Sequence, residues 1–379
     1  MVCPFQYGTI ANHDKFINRA ELKAQIKDKL LSETNLILVS PSKWGKTSLI
    51  KSVTNEIKAS VPQMRICHIN AFGIKNMTDL CLSIQKQFQQ SIGKDAPDTS
   101  GWMPEEIFGN IETVLEEKNL RLIMWMTEFQ QLTNIQDFGK IEKLLHSARK
   151  DQKNMVFCIC GNNRYKMAEA FDTAKKPLNK FGQMIYVPRI DKTEWTKYIT
   201  SLFKKSGKYI TEQQADLICE TTKCNPWYVQ QLSFFIWTAT TMDVDDYTIK
   251  QSIQQLIDTN SPMFRYSTEN LTFAQIAMLK AVVCGENQFN AAKIVEKYNL
   301  GNAQTITRNK RALVERGFID KTENSYFFCD PVFELWFKQE LMSHTRQSSI
   351  YNYDTTHHQT QHVAPEKTDL QYPNTHLTA

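Results

Sequence analysis

The sequence predicts an α/β domain with a largely parallel sheet, followed by a helical region and a winged helix-turn-helix. Five short apolar segments lie between amphipathic helical segments in the first half of the chain. These segments lack the polar-apolar alternation of strands with one face in solvent, so we expect both faces of the sheet to be covered. Strands separated by helices are typical of βαβ units. After Pro188 the strand pattern stops and helical periodicity continues.

The five strand candidates and the helices between them account for the α/β part. The predicted strands are Leu36–Val39, Met64–Ile69, Leu120–Met126, Met155–Cys160 and Met184–Val187. Apolar residues at helical spacing predict four helices between the strands. Their stripes are Leu49, Ile50, Val53 and Ile57; Leu80, Ile84, Phe88 and Ile92; Ile107, Ile111 and Leu115; and Phe138, Ile141, Leu145 and Ala148.

The C-terminal part of the pattern predicts three short helices and a hairpin. The helices are expected over Leu271–Cys284, Ala291–Tyr298 and Ala303–Arg316, with Gly317 ending the third. Phe273, Ile276 and Leu279 form the apolar stripe of the first of these helices. Strands on either side of a turn at Thr322–Ser325 complete a winged helix arrangement.

These patterns divide the chain into four regions. We expect an α/β domain over residues 1–190, a helical region over 191–265 and a winged helix over 266–342. The region 343–379 is rich in Thr, Gln, His and Asn and has few aliphatic residues. Such a composition buries too little apolar area to offset the entropy of ordering, so we expect a disordered tail.

Composition indicates a folded protein with a modest positive charge. The 379 residues are 41% hydrophobic, and the formal net charge is +5. This length suits two or three domains, and this charge implies no polyanion-binding field over the whole surface. The nine cysteines include no C-x-x-C pair, so we expect reduced core thiols in a cytoplasmic protein. Neither a signal segment nor an apolar run of membrane-spanning length is found, and no membrane partner is expected.

A phosphate-binding loop follows the first predicted strand. Its residues are Ser40, Pro41, Ser42, Lys43, Trp44, Gly45, Lys46, Thr47 and Ser48. They match the G-x-x-x-x-G-K-[ST] pattern except that Ser40 replaces the first glycine. In such loops the main-chain amides and a helix N-terminus surround phosphates, Lys46 reaches the β- and γ-phosphates, and the Thr47 hydroxyl ligates Mg²⁺. The sequence therefore predicts a nucleoside triphosphate site with Mg²⁺ as cofactor.

The third predicted strand ends in an acidic residue beside an unusual neighbour. Such a strand normally ends in an Asp that holds the Mg²⁺ shell, followed by a Glu that orients the attacking water. Glu128 is present as a candidate catalytic base, whereas Thr127 stands where the Asp is expected. Since Thr cannot neutralise the ion, we expect weaker Mg²⁺ retention and slow hydrolysis.

Several motifs together resemble the archaeal-ATPase-like group of bacterial ATP-binding proteins. These proteins are AAA-like relatives of the signal-transduction ATPases with numerous domains and of the archaeal replication-initiator ATPases. The resemblance extends over about residues 5–340. The matching segments are Phe16–Arg19 with Glu21 and Leu22, Ser40–Leu49, Thr127–Gln130, Gly161–Asn163 and Lys223–Leu232.

The resemblance implies ATP as the ligand and assigns roles to further residues. Arg19 is expected near the adenine, Asn162 near the γ-phosphate or the attacking water, and Pro226 near the nucleotide in a helical lid. Two alternatives stay open, since Arg19 also suits a surface helix cap and Asn162 a polar turn after a strand. An arginine finger cannot be assigned between Arg164 and Arg189.

The resemblance and the residues leave three functions open. The first is an ATPase that acts as a molecular switch, and the second is an ATP-gated binding protein with little turnover, which Thr127 favours. The third is a DNA-binding regulator that uses the winged helix, where Arg308, Lys310 and Arg311 are the candidate contacts. In that case Thr305, Thr307, Arg308 and Asn309 are expected to face bases or phosphates. A protein partner or self-association is a further alternative.

Overall fold

A computed structural model describes residues 2–8, 17, 19–151, 153–322 and 325–341. Residues up to Trp336 form one compact unit, and a second unit begins at Phe337. The predicted disordered tail, 343–379, lies outside the described residues. Among the helices that are described, none has both the length and the apolar composition needed to cross a bilayer.

The first unit contains a five-stranded parallel sheet, as predicted. Its strands are β1 (Leu36–Val39), β2 (Met64–Asn70), β3 (Arg121–Thr127), β4 (Met155–Gly161) and β5 (Gln183–Tyr186). Each strand begins and ends within one residue of its predicted range. The strand order is β2-β3-β4-β1-β5, and every pairing is parallel. The carboxyl ends of β1, β3 and β4 therefore meet at one edge of the sheet, where the loop after β1 lies.

Helices cover both faces of this sheet. They are α1 (Ala20–Leu31), α2 (Lys46–Ser60), α3 (Met77–Ile92), α4 (Ile107–Glu117), α5 (Phe138–Asp151) and α6 (Arg164–Phe171). Buried residues of α1 and α2 pack on one face, and those of the other four helices pack on the second face. Burial of one such Leu or Ile side chain stabilises the fold by about 1.5–3 kcal/mol, so these two layers fix the position of the loop between β1 and α2.

Four helices follow the sheet. They are α7 (Lys192–Lys205), α8 (Glu212–Thr221), α9 (Pro226–Ala239) and α10 (Asp246–Glu269). The helix α10 is continuous through Pro262 and crosses the predicted boundary at residues 265/266. The helical region and the winged helix therefore share one helix.

The winged helix has the predicted elements. They are α11 (Phe273–Val283), α12 (Ala292–Tyr298), α13 (Ala303–Glu315), β6 (Ile319–Lys321) and β7 (Tyr326–Phe328). The two strands are antiparallel, with Ile319 paired to Phe328. A further helix covers residues 331–341. Of the predicted turn Thr322–Ser325, residues 323–324 lie outside the described residues.

The predicted stripe of α11 is wrong at its first residue. Phe273 is 98% exposed. Thr272 and Gln275 form a capping box that fixes the first turn of the helix. This turn directs Gln275 inward and leaves the Phe273 side chain in solvent, whereas Leu279 is buried as predicted.

All nine cysteines are free thiols. Cys158 and Cys160 are buried in β4. The prediction that these two thiols lie in the core is therefore confirmed.

Candidate nucleotide-binding site

The loop between β1 and α2 has the backbone that a phosphate-binding loop requires. Gly45 has φ of 79° and directly precedes the first residue of α2, a conformation that glycine adopts without strain. Lys43 has φ of 65°, so it also lies in the left-handed region. Ser40 is not among the residues with positive φ. Ser40 therefore replaces the glycine of the pattern without backbone strain.

The N-terminus of α2 is prepared for an anion. No described side chain caps this end of the helix, because Gly45 occupies the capping position. The main-chain N–H groups of the first turn have no partners within the helix, and the helix dipole places partial positive charge there. Such an end binds phosphate oxygens directly.

Lys46 lies beneath the loop and is held by oxygens of the loop itself. Its ammonium donates to the carbonyl of Ser40 at 2.7 Å, to the Ser40 hydroxyl at 3.1 Å and to the carbonyl of Pro41 at 3.1 Å. The residue is 8% exposed. Burial lowers the pKa of Lys46 to about 8, with smaller opposing effects from Cys160 and Glu128. A buried cation held by neutral oxygens favours a neighbouring anion.

A cavity of about 370 Å³ lies against the loop and α7, α9 and the N-terminal segment. Residues Ser42–Ser48, Arg19 and Glu128 line one side of it, and Pro226 lines the other. The remaining lining residues were not among the candidate site residues, although Ile17, Trp227 and Gln230 lie in two of the segments that carry the resemblance. They are Gln6, Tyr7, Gly8, Ile17, Ile190, Trp195, Trp227 and Gln230. Their aromatic and aliphatic side chains suit a base, whereas the loop suits phosphates.

The N-terminal segment over residues 2–8 is anchored to the helical region. The main-chain N–H of Gln6 donates to the Gln230 side-chain oxygen at 3.2 Å. The rings of Phe5 and Phe203 lie 5.3 Å apart, and that of Tyr7 lies 5.2 Å from Phe234. These contacts close one wall of the cavity, and none of them has a local sequence pattern.

Arg19 is buried and forms a hydrogen bond to the main chain of the loop. Its guanidinium donates to the carbonyls of Trp44 and Pro188, each at 3.1 Å, and burial lowers its pKa to about 10. Arg19 occupies the N-cap position of α1, but its side chain makes no capping hydrogen bond among the described residues and the residue is 9% exposed. The alternative is therefore right about the helix end and wrong about the surface. In the described part of the chain, Nε of Arg19 has no hydrogen-bond partner.

Glu128 and Asn162, the two candidate catalytic residues after β3 and β4, contact each other. Glu128 has φ of 56°, and its carboxylate accepts from the side-chain amides of Gln130 at 2.7 Å and Asn162 at 3.0 Å. The Asn162 main-chain N–H also donates to the Gln130 side chain at 3.1 Å. Asn162 therefore orients the carboxylate of Glu128, a contact that a simple turn residue does not require.

The Thr127 hydroxyl is engaged by residues of β2. This hydroxyl lies 3.1 Å from Nε2 of His68 and donates to the carbonyl of Ile69 at 3.4 Å. The His68 ring stacks on Trp125 with centroids 4.0 Å apart, and burial lowers the pKa of His68. A buried threonine and a half-buried histidine therefore occupy the position where a carboxylate is usual.

The residues present suit a triphosphate better than they suit a tightly held metal. Arg19, Lys43 and Lys46 line the cavity with Glu128 as the acidic residue, and these cations favour a polyanion. Across the described residues, no group of three or more His, Cys, Asp or Glu side chains is placed to hold a metal ion. Thr47 and Glu128 are the protein groups that would meet Mg²⁺, and the phosphates would supply the remaining oxygens.

Gly161 is required by close packing. A Cβ at this position would lie 2.2 Å from Sδ of Met167.

The two arginine-finger candidates are both exposed, with Arg164 4.7 Å from the ring of Tyr186 and Arg189 5.5 Å from that of Trp44. Neither contact distinguishes between them.

On α13 the candidate DNA contacts differ in accessibility. Arg308 is exposed, Arg311 is exposed but donates to Glu315 at 2.6 Å, and the Lys310 ammonium lies 6.0 Å from the ring of Tyr326. The prediction that Asn309 faces a nucleic acid is wrong, because Asn309 is 4% exposed. It belongs to the buried stripe of this helix, which also contains Ile306 and Leu313.

Comparisons with known proteins place this geometry in a known fold. A family model described as a probable winged helix domain matches residues 262–339. A Walker-type ATPase of Pyrococcus abyssi is similar, with a TM-score of 0.73, 14% identity, and coverage of 88% of this chain and 99% of that one. The ORC2 protein of Aeropyrum pernix, solved as ADPNP–ADP complexes, has a TM-score of 0.57, 13% identity, and coverage of 89% and 99%. Among curated protein sequences no match was found. The chain therefore has the fold of a P-loop ATPase with a C-terminal winged helix.

Proposed function

We propose that this chain binds ATP and acts as a nucleotide-dependent molecular switch with slow hydrolysis. The observation that carries the proposal is the convergence of Arg19, Lys43 and Lys46 on one cavity that also contains the uncapped N-terminus of α2. Among the described lining residues, three are cations and one, Glu128, is a carboxylate. This balance of charge favours a polyphosphate over a neutral or cationic ligand.

Each group has a role in binding. The main-chain amides of Gly45 and Lys46 would contact phosphate oxygens, and the Lys46 ammonium would move from the loop carbonyls to the phosphates. Thr47 would hold Mg²⁺, which would neutralise charge on the phosphates. The opposite wall, which includes Trp195 and Pro226, would contact the base.

Slow turnover is proposed from the end of β3. Glu128 is oriented by Asn162 and is the candidate base, because its oxygen is fixed by two amide donors. The Thr127 hydroxyl is occupied by His68 and Ile69 and adds no charge. Among its described residues, the site therefore retains a base candidate and has no second carboxylate for Mg²⁺.

The switch is proposed from the way the helical region is connected. We call residues 191–265 the lid. Pro226 begins α9 beneath a cap in which Asn225 accepts from the main-chain N–H groups of Trp227 and Tyr228. Pro226 lines the cavity, and the lid continues through α10 into the winged helix. A ligand that moves this wall would therefore shift the winged helix.

Affinity and turnover measured side by side test the proposal. We expect calorimetry to detect 1:1 ATP binding and a phosphate-release assay to give turnover well below about 1 s⁻¹, the lower end of the usual enzyme range. Turnover within that usual range would contradict slow hydrolysis. Absence of binding would contradict the proposal as a whole.

Duplex DNA binding by α13 is a second candidate function. The exposed face of this helix carries Gln304, Thr307 and Arg308, and the N-terminal half of such a helix contacts base edges in winged proteins. Gel shifts at several salt concentrations test it, because phosphate contacts weaken as salt rises. We expect Arg308→Ala to weaken retention of duplex, and retention equal to wild type at every salt concentration would reject this role.

A further inference from the structure

One loop residue contacts two distant parts of the chain. The ammonium of Lys43 is hydrogen-bonded to the Tyr228 hydroxyl, and it lies 3.5 Å from Oδ2 of Asp330. The Tyr228 hydroxyl also donates to the same carboxylate oxygen at 2.6 Å. These three residues, which we call the triad, belong to the phosphate loop, the lid and the winged helix.

The triad lies in a protected environment. Tyr228 is fully buried, and the side chains of Lys43 and Asp330 are 20% and 29% exposed. The ring of Tyr228 also lies under the ammonium, with 4.5 Å between Nζ and the centroid. Partial burial weakens screening by water and salt, so this contact is stronger than an ion pair on the open surface.

Asp330 links the triad to a helix. Its second oxygen, Oδ1, accepts from the main-chain N–H groups of Val332 at 2.9 Å and Phe333 at 3.0 Å. Asp330 therefore caps the helix over 331–341 with one oxygen and holds Lys43 and Tyr228 with the other. One carboxylate therefore contacts both Lys43 and the start of that helix.

We propose that Lys43 is a two-position cation that binds either the Tyr228–Asp330 pair or the polyphosphate, so that polyphosphate binding releases the winged helix from the loop. The inference rests on the proposed function, because it requires a polyphosphate on the loop. It adds the element by which the ligand state reaches the winged helix.

Position and charge support this competition. Lys43 lies in the loop and is one of the residues that line the cavity. A triphosphate carries several negative charges, whereas Asp330 carries one that is shared with a tyrosine hydroxyl and two helix amides. A flexible four-carbon side chain redirects its charge without movement of the backbone. We therefore expect the ammonium to leave the triad when phosphate oxygens are within reach.

A neighbouring contact provides a matched control. Glu334 lies one turn after Asp330 on the same helix and forms an ion pair with Lys223 of the lid. This pair also joins the lid to the winged helix, but neither residue lines the cavity. Glu334→Gln therefore removes a comparable carboxylate at this interface and leaves the Lys43 contact intact. Asp330→Asn removes the negative charge of the triad and keeps a side-chain oxygen that can cap the helix.

The test uses the full-length chain and a non-hydrolysable ATP analogue with Mg²⁺. Calorimetry measures the affinity, and hydrogen exchange follows the amides of residues 326–336. We expect Asp330→Asn to bind the analogue about fivefold more tightly than wild type, because a competing, partly buried ion pair is gone. Tyr228→Phe removes the bridging hydroxyl and is expected to shift the affinity in the same direction by a smaller ratio.

Exchange provides the second readout. In wild type we expect the analogue to accelerate exchange over 326–336, and in Asp330→Asn we expect fast exchange that the analogue no longer changes. Glu334→Gln should leave the affinity within about twofold of wild type and retain the response to the analogue. Two results would overturn the competition alone. One is that Asp330→Asn and Tyr228→Phe bind the analogue with the affinity of wild type. The other is that a bound analogue leaves hydrogen exchange in wild type unchanged. Failure of wild type to bind the analogue would overturn the ATP proposal as well.

Discussion

Thr127→Asp is the substitution that most directly examines the proposed cause of slow hydrolysis. Ile123 and Trp125 pack on the face of the sheet that α2 covers, and alternation along the strand places position 127 on the same face. The substitution therefore adds a carboxylate at the carboxyl edge, on the side of Thr47. We expect Mg²⁺ retention and hydrolysis to rise.

The expected gain follows from two opposing effects. A carboxylate that orients the ligands of a metal is worth about 10- to 100-fold in metal affinity or activity, which corresponds to about 1.4–2.7 kcal/mol. Thr127 is 7% exposed, so the new carboxylate loses hydration. This loss is expected to lower the free energy of unfolding by about 1–3 kcal/mol. His68 at 3.1 Å offsets part of that loss by taking up a proton. We expect a net increase of about tenfold in turnover.

Thr127→Asn is the control, because it has the shape of the aspartate variant without its charge. Phosphate release is measured under saturating ATP and Mg²⁺ at pH 8, where the lowered pKa of His68 keeps that ring neutral in wild type. Both variants are checked for folding and ATP binding. If the aspartate variant binds ATP and yet hydrolyses it no faster than the asparagine variant, the proposed cause of slow turnover is incorrect.

Two further predictions concern pH and packing. Burial lowers the pKa of Lys46 to about 8, and bound phosphates favour its ammonium form; we therefore expect binding to take up a proton above pH 8 and the affinity to fall by up to about tenfold per pH unit there. Calorimetry in buffers of different ionisation enthalpy measures this uptake, and a flat profile from pH 7 to 10 would contradict it. Gly161→Ala should lower the free energy of unfolding by about 1–3 kcal/mol, because its Cβ would overlap Met167. Gly109→Ala, whose Cβ would meet nothing within 4 Å, should be neutral or stabilising in denaturant titrations, and equal losses in both variants would contradict the packing argument.

The sheet and the phosphate loop were predictable because their signals are local. An apolar run such as Met155–Cys160 can be buried only with both faces covered, and the G-K-T sequence at Gly45 marks the turn into a helix. The position of Glu128 at the end of β3 follows from the same strand pattern. Periodicity therefore located one edge of the sheet and most of the residues there.

The remaining features depend on contacts between residues that are distant in sequence. Gln6 and Gln230 meet 224 positions apart, and Lys43 and Tyr228 meet 185 positions apart. Neither contact leaves a periodic or motif signal. The predictions for Asn309 and Phe273 were wrong because the spacing of residues along a helix does not by itself show which side of the helix faces the core. Packing and capping decide how the helix is rotated about its axis.

The most direct measurement for the whole account is a calorimetric titration of ATP into wild type, Lys46→Ala and Lys51→Ala. Lys51 is an exposed residue of the same helix and serves as the control. Loss of a charge-assisted contact to phosphate should weaken binding by about 10- to 100-fold in Lys46→Ala, while Lys51→Ala should bind like wild type. ATP binding that is unchanged in a folded Lys46→Ala variant, or absent in wild type, would contradict a triphosphate site on this loop.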